Sequence, residues 1–203
     1  MEAESDAPVQ LRELIISHCP KLQRFPKSIG CLNELKTIVI KACSNTDSLP
    51  KEFCRLKLLG HLELSDCKKL SLLPRRFGDL ANMRYLDLVG CSNLKELPVS
   101  FKNLVLLQFL NLKGCKELIF RSDDFQNITK LEFFNLSGCA KLGELPRDIT
   151  NQASLKELLL DGVERLRELP IQIGQLSRLR KMDIRRSDLL IGFPNSLGDL
   201  SSL

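Results

Sequence analysis

The chain has 203 residues, 43% of them apolar and 27% charged, with 30 basic and 25 acidic residues and a formal net charge of +5. Its longest apolar runs, such as Val105-Leu106-Leu107, are far too short to span a bilayer, and the acidic start Met1-Glu2-Ala3-Glu4-Ser5-Asp6 lacks the basic and apolar stretches of a signal peptide. The expected compartment is the cytosol or the nucleus, and the mild, interspersed positive charge points weakly to an acidic partner and not to a nucleic acid, whose readers gather basic residues on one face.

Past a polar lead over residues 1–10, cysteine recurs at Cys19, Cys43, Cys67, Cys91, Cys115 and Cys139, always 24 residues apart. Aligned on it, residues 11–202 divide into eight units of 24. The third runs Leu59, Leu62, Leu64, Cys67, Leu70, Leu73, Pro74, Phe77, Leu80, and the fourth Met83, Leu86, Leu88, Cys91, Leu94, Leu97, Pro98, Phe101, Leu104. Leu62-Glu63-Leu64 and Leu86-Asp87-Leu88 alternate with the period of 2 that a strand requires, whereas helical repeats need about 33 or more residues per unit. Each unit is read as one short parallel strand, with a Leu-Pro segment and an irregular or short helical return. Proline suits an extended backbone that donates no ladder bond. Stacked at roughly 4.8 Å per strand, the units predict a solenoid on the order of 35 to 40 Å long, whose coils bury their apolar sides only against one another.

The later units depart from the pattern. In the fifth, Arg121 and Ser122 replace Leu-Pro and are followed by Asp123 and Asp124. A charge in the core is costly, so a bulge is expected, with Ile119 or Phe120 filling the space. In the sixth Gln152 takes the final leucine position, and Val163 and Ser187 replace the ladder cysteine in the seventh and eighth. The chain ends at Leu203, where a ninth unit would start. The expectation is a piece of a longer repeat protein whose uncapped C-terminal edge, lined by Leu179, Met182, Ile184 and Leu197, drives weak self-association.

The run Leu86-Asp87-Leu88-Val89-Gly90-Cys91-Ser92-Asn93-Leu94-Lys95-Glu96-Leu97-Pro98, echoed by Leu110-Asn111-Leu112-Lys113-Gly114-Cys115, is that of a leucine-rich repeat with cysteine where many such repeats carry asparagine. Over residues 11–203 it resembles the repeats of plant nucleotide-binding leucine-rich repeat immune receptors, especially those with a TIR domain. The resemblance implies an α/β leucine-rich repeat solenoid with a parallel sheet on its concave face. For a full-length relative it implies an intracellular sensor whose repeats recognise a pathogen effector or a host target and restrain an adjoining receptor domain. No phosphate-binding G-x-x-x-x-G-K-[ST] motif is present, so the family's ATPase switch does not carry over. The second reading is a repeat-only intracellular signalling scaffold.

The thiols are expected to be reduced. In a parallel ladder neighbouring Cβ atoms lie nearer 5 Å than the roughly 3.8 Å of a disulfide, and a linear row of thiols converges on no metal. Cys31 and Cys54 lie off the ladder and are the expected accessible thiols. The sequons at Asn127 and Asn135 are chance matches without a secretory route.

With the leucines at repeat positions 4 and 6 inward, positions 3 and 5 face the concave surface. Position 3 reads His61, Tyr85, Phe109, Phe133 through the middle coils, and position 5 beside it Glu63, Asp87, Asn111, Asn135. Aromatics rimmed by polar groups are the expected partner-binding site. The competing reading is cross-strand stabilisation alone. Phe53, Phe77, Phe101 and Phe125, at position 19, form a core row. Arg180, Lys181, Arg185 and Arg186, interrupted only by Asp183, make a second candidate patch, either a solvated face or a seat for an acidic partner. No catalytic constellation accompanies the two histidines, His18 and His61, and no cofactor is expected. The proximity of His61, Glu63, Asp66 and Asp87 is a poor metal site. An enzyme or redox protein using the thiols is the third and weakest class.

Overall fold

The computed structural model describes residues 10–202, so the expected polar lead lies outside them apart from Gln10. Eight strands form one parallel sheet in chain order: β1 (Glu13–Ser17), β2 (Thr37–Lys41), β3 (His61–Ser65), β4 (Tyr85–Asp87), β5 (Phe109–Asn111), β6 (Phe133–Asn135), β7 (Glu157–Leu159) and β8 (Lys181–Asp183). Every pairing is offset by one repeat, as in Thr37 with His61 and Tyr85 with Phe109. The fold is a leucine-rich repeat solenoid.

Each strand ends in the same turn. Repeat position 8 has positive φ in all eight coils: Gly90, Gly114, Gly138 and Gly162 in coils four to seven, and His18, Ala42, Asp66 and Arg186 in the others, with φ between 52° and 57°. A side chain in this region costs roughly 1 to 2 kcal/mol, which glycine avoids. The turn extends the ladder, because its N–H donates to the next coil, as from Gly114 to Ser137 O and from Gly138 to Asp161 O, both at 2.8 Å.

The return side is built by proline. In seven coils its carbonyl accepts from the N–H three residues on, as from Phe53 to Pro50 O at 3.0 Å and from Phe101 to Pro98 O at 2.7 Å. That bond starts a short 3-10 helix and turns the residue at position 19 inward. The helices span Lys27–Cys31, Lys51–Arg55, Phe77–Asp79, Val99–Asn103, Arg147–Asn151, Ile173–Gln175 and Asn195–Asp199. They pack closely: a Cβ on Gly78 would fall 1.7 Å from Ser100 O. The core runs unbroken along the stack, with Phe53, Phe77, Phe101 and Phe125 fully enclosed. Each such aromatic or leucine contributes roughly 1.5 to 3 kcal/mol by leaving water.

Coil five lacks both the proline and the helix, and the expected bulge is present. Phe120 fills the space, edge-on to Phe125 with centroids 5.3 Å apart; Ile119 instead points to solvent. Arg121 stays out of the apolar core. Its guanidinium reaches Asp124 and Leu97 O, and Asp124 Oδ2 accepts from Arg121 N at 2.9 Å. In coils one to four, six and seven the carbonyl at position 22 accepts from the residue three on, as Leu104 O does from Leu107 N. Ile128 O receives no such bond from Leu131. Gln152 Nε2 of the next coil donates to it instead. Gln152 is wholly buried and its Oε1 finds no partner, so the substitution that repairs one carbonyl leaves another acceptor bare.

Three expectations about accessibility fail. Cys19, on the ladder, is exposed, no coil being stacked before it among the described residues, whereas Cys54, expected to be accessible, is buried under the next return segment. Leu179, the first residue of coil eight, is fully enclosed; the apolar groups open in that coil are Leu189, Ile191 and Phe193, with Met182, Ile184 and Leu197 half-buried. Three of the ladder thiols donate to a carbonyl of the preceding coil. Cys91 Sγ donates to Leu64 O at 2.9 Å, Cys115 Sγ to Leu88 O at 3.3 Å and Cys139 Sγ to Leu112 O at 3.2 Å. Burial pushes Cys67 and Cys139 up to about 12 and Cys54 to about 11. All are therefore thiols, not thiolates, at neutral pH.

Candidate functional site

The strands place position 3 of neighbouring coils side by side, and the repeat fills it with rings from β3 to β6. His61 stacks on Tyr85 with centroids 4.1 Å apart and planes 4° off parallel, Tyr85 on Phe109 at 4.1 Å and 6°, and Phe109 on Phe133 at 4.4 Å and 4°. The strand spacing of about 4.8 Å imposes this repeat. All four rings are half-buried, not freely exposed as their column suggests, because each ring covers the face of the next. The edges are left to meet a partner. The rings are therefore structural in part, and the two readings of the aromatic column are not exclusive. Beside the start of the stack lies a groove of about 500 Å³ lined by Lys36, Leu58, Gly60, His61, Asn82 and Arg84.

Position 5 forms a polar rail alongside. Asp87 Oδ1 accepts from Val89 N at 2.9 Å, Asn111 Oδ1 from Lys113 N at 3.2 Å and Asn135 Oδ1 from Ser137 N at 2.9 Å, one side-chain turn repeated down the stack. Asn111 Nδ2 also donates to Asp87 Oδ2 at 3.2 Å. Glu63 accepts from Ser65 Oγ at 2.8 Å and pairs with Lys41 at 2.9 Å. Asp87 and Asn135 are buried, more deeply than a rim residue would be. Burial raises the Asp87 carboxyl above its usual range, against the hydrogen bonds from Val89 and Asn111, and burial with the charges of Asp87 and Glu63 raises the Tyr85 phenol.

The second patch is not an uncompensated cluster. Lys181 pairs with Glu157 at 3.3 Å, Arg185 with Asp183 at 2.6 Å, and Arg186 with Asp161 at 2.5 Å. Arg180 alone forms no ion pair among the described residues. The preceding coil brings Glu157 and Asp161 alongside, so the patch is a mixed, solvated face. Among the described residues no group of three or more His, Cys, Asp or Glu converges as a metal site, and no helix is long and apolar enough to cross a membrane. What column reading missed was Arg84, in the groove beside His61, which stands at the same repeat position as Arg180.

A repeated strand, turn and return around one core, with a patterned concave face, defines a leucine-rich repeat interaction module. The comparisons agree: the leucine-rich repeat is matched over residues 82–104. Among solved structures, the leucine-rich repeat domain of the type III effector XopL is 25% identical, with a TM-score of 0.80, over 94% of this chain and 66% of that one. Internalin C2 of Listeria monocytogenes is 16% identical, with a TM-score of 0.63, over 90% of this chain and 74% of that one. The Arabidopsis receptor kinase HAESA, solved with a peptide hormone and a co-receptor, is 24% identical, with a TM-score of 0.59, over 98% of this chain and 38% of that one. The chain thus spans just under two thirds of the effector domain's length. No curated protein matches the sequence significantly.

Proposed function

We propose that the chain is a protein-recognition module whose concave face, centred on the ring stack, receives a protein partner, and that it serves as the ligand-sensing and autoinhibitory repeat region of an intracellular plant immune receptor. The observation that carries the first half is the continuous stack of His61, Tyr85, Phe109 and Phe133, rimmed by Glu63, Asp87, Asn111 and Asn135. Rigid aromatics set among polar groups supply most of the energy in protein interfaces. A receptor kinase of similar fold was solved with a peptide hormone and a co-receptor, which supports a peptide or protein as the ligand. The immune half rests on the Cys-x-x-Leu-x-x-Leu-Pro repeat of Cys91 to Pro98, with a pathogen effector, a host target or an adjoining receptor domain as partner.

Two measurements test the halves separately. Replacing Tyr85, Phe109 and Phe133 together by Ala weakens capture of the cognate partner by more than about 2 kcal/mol, with the circular-dichroism spectrum confirming the fold; unchanged affinity refutes the concave site. The reading frame upstream of the chain carries a nucleotide-binding segment with the G-x-x-x-x-G-K-[ST] motif. A complete transcript without one makes the protein a repeat-only scaffold.

A further inference from the structure

We infer that Asp87 is the anchor of the concave face for a basic side chain, arginine or lysine, carried on an extended segment of the partner; this rests on the concave-face reading above. The repeat supplies its own control. Asn111 and Asn135 occupy the same slot in the next two coils and accept the same backbone hydrogen bond, so a neutral amide meets the requirement of the turn. Coil four carries a carboxylate instead, 8% exposed. Desolvating a charge is costly unless a counter-charge offsets it.

The other acids at position 5 have their counter-charges within this chain. Glu63 is paired with Lys41 and Asp183 with Arg185. Asp87 has only N–H donors, and among the described residues no cation lies within 4.0 Å of it. Lys41 is drawn to Glu63, and the exposed Arg84 and Lys113 form no ion pair with Asp87. The charge is thus retained where the fold meets it with amide donors alone and no counter-charge, two residues beyond Tyr85 on the same strand face and in register with Glu63. A basic residue from a partner would place its head group against Asp87 and Glu63 and lay its apolar stem on the edges of Tyr85 and Phe109. An arginine fork suits this arrangement best.

The test selects a random peptide library displayed on phage against the full chain, and the selected peptides are then measured on the variants. The expected peptides carry arginine or lysine beside an apolar residue. Their affinity falls at least about tenfold on Asp87→Asn and equally when the basic residue is changed to Gln, and the two losses do not add. Asp87→Asn keeps the wild-type melting temperature or raises it, since Asn already fills this slot in coils five and six. Peptides without a basic residue, a selection that yields none, or equal binding to Asp87→Asn overturns the assignment. Loss of binding on Phe109→Ala but not on Asp87→Asn refutes the anchor and leaves the concave site standing. Indifference to both variants refutes the site itself.

Discussion

The ring stack makes a quantitative claim about stability. Tyr85 and Phe109 touch at 4.1 Å, and each has a ring on both sides, whereas Phe133 has a ring on one side only. An aromatic pair is worth about 0.5 to 1.5 kcal/mol beyond the area it buries. Phe109→Ala therefore forfeits two such contacts, about 1 to 3 kcal/mol, and Phe133→Ala one, before lost burial is counted. Lost burial obscures the single variants, so the measurement is a double-mutant cycle in which it cancels. Equilibrium urea unfolding of wild type, Tyr85→Ala, Phe109→Ala and the double variant gives a coupling of about 0.5 to 1.5 kcal/mol. The cycle between Tyr85 and Phe133, two coils apart, gives about zero. Equal couplings in the two cycles, or a Tyr85–Phe109 coupling below about 0.3 kcal/mol, would show that the rings are neighbours without being partners.

Native thiol labelling reaches Cys19 and Cys31 at once and the six other cysteines only on unfolding; fast modification of Cys91 or Cys115 contradicts the enclosed ladder. The raised Asp87 carboxyl favours the protonated folded state. That stability is fully present below the unfolded carboxyl value of about 4 and is lost as the pH rises through the folded value. Measured by urea unfolding from acid to neutral pH, Asp87→Asn therefore gains on wild type as the pH rises, and a constant difference refutes the burial argument. Gly114→Ala costs about 1 to 2 kcal/mol, read as a lower urea midpoint. The strain is in the backbone, φ being 74° with nothing nearer to the added Cβ than 3.7 Å; an unchanged midpoint would deny that strain.

The 24-residue spacing of the cysteines was enough to place all eight strands, their register and the inward phenylalanine row, because a solenoid turns sequence distance directly into adjacency. The column that gave Tyr85, Phe109 and Phe133 also held Glu157 beside Lys181, and position 7 held Asp161 beside Arg185, so the neutralised basic patch was legible too; reading along one coil hid it. Ends and repairs were not legible. Cys19 and Cys43 share a residue type and a repeat position, and differ in whether a coil lies before them among the described residues. Gln152 looked like a weak leucine, yet its role follows from a proline missing in the coil before. The left-handed turn was written in glycine for coils four to seven, but His18, Ala42, Asp66 and Arg186 adopt it under the compulsion of the adjoining ladder.

Coil five has a consequence for how the molecule responds to salt. Elsewhere on the return side proline-led helices of adjacent coils pack directly, and ion pairs such as Lys57 with Asp79 at 3.6 Å only add to that packing. At coil five the tie to coil four runs instead through Lys102 with Asp123 at 2.9 Å and Arg121 with Glu96 at 3.7 Å, all partly open to solvent. Interactions of this kind weaken as the Debye length contracts from about 10 Å at 0.1 M to about 3 Å at 1 M ionic strength. Rising ionic strength thus weakens a larger share of the return-side tie at this seam than where helix packs on helix: the sheet stays continuous, and the convex wall becomes easier to part between coils four and five.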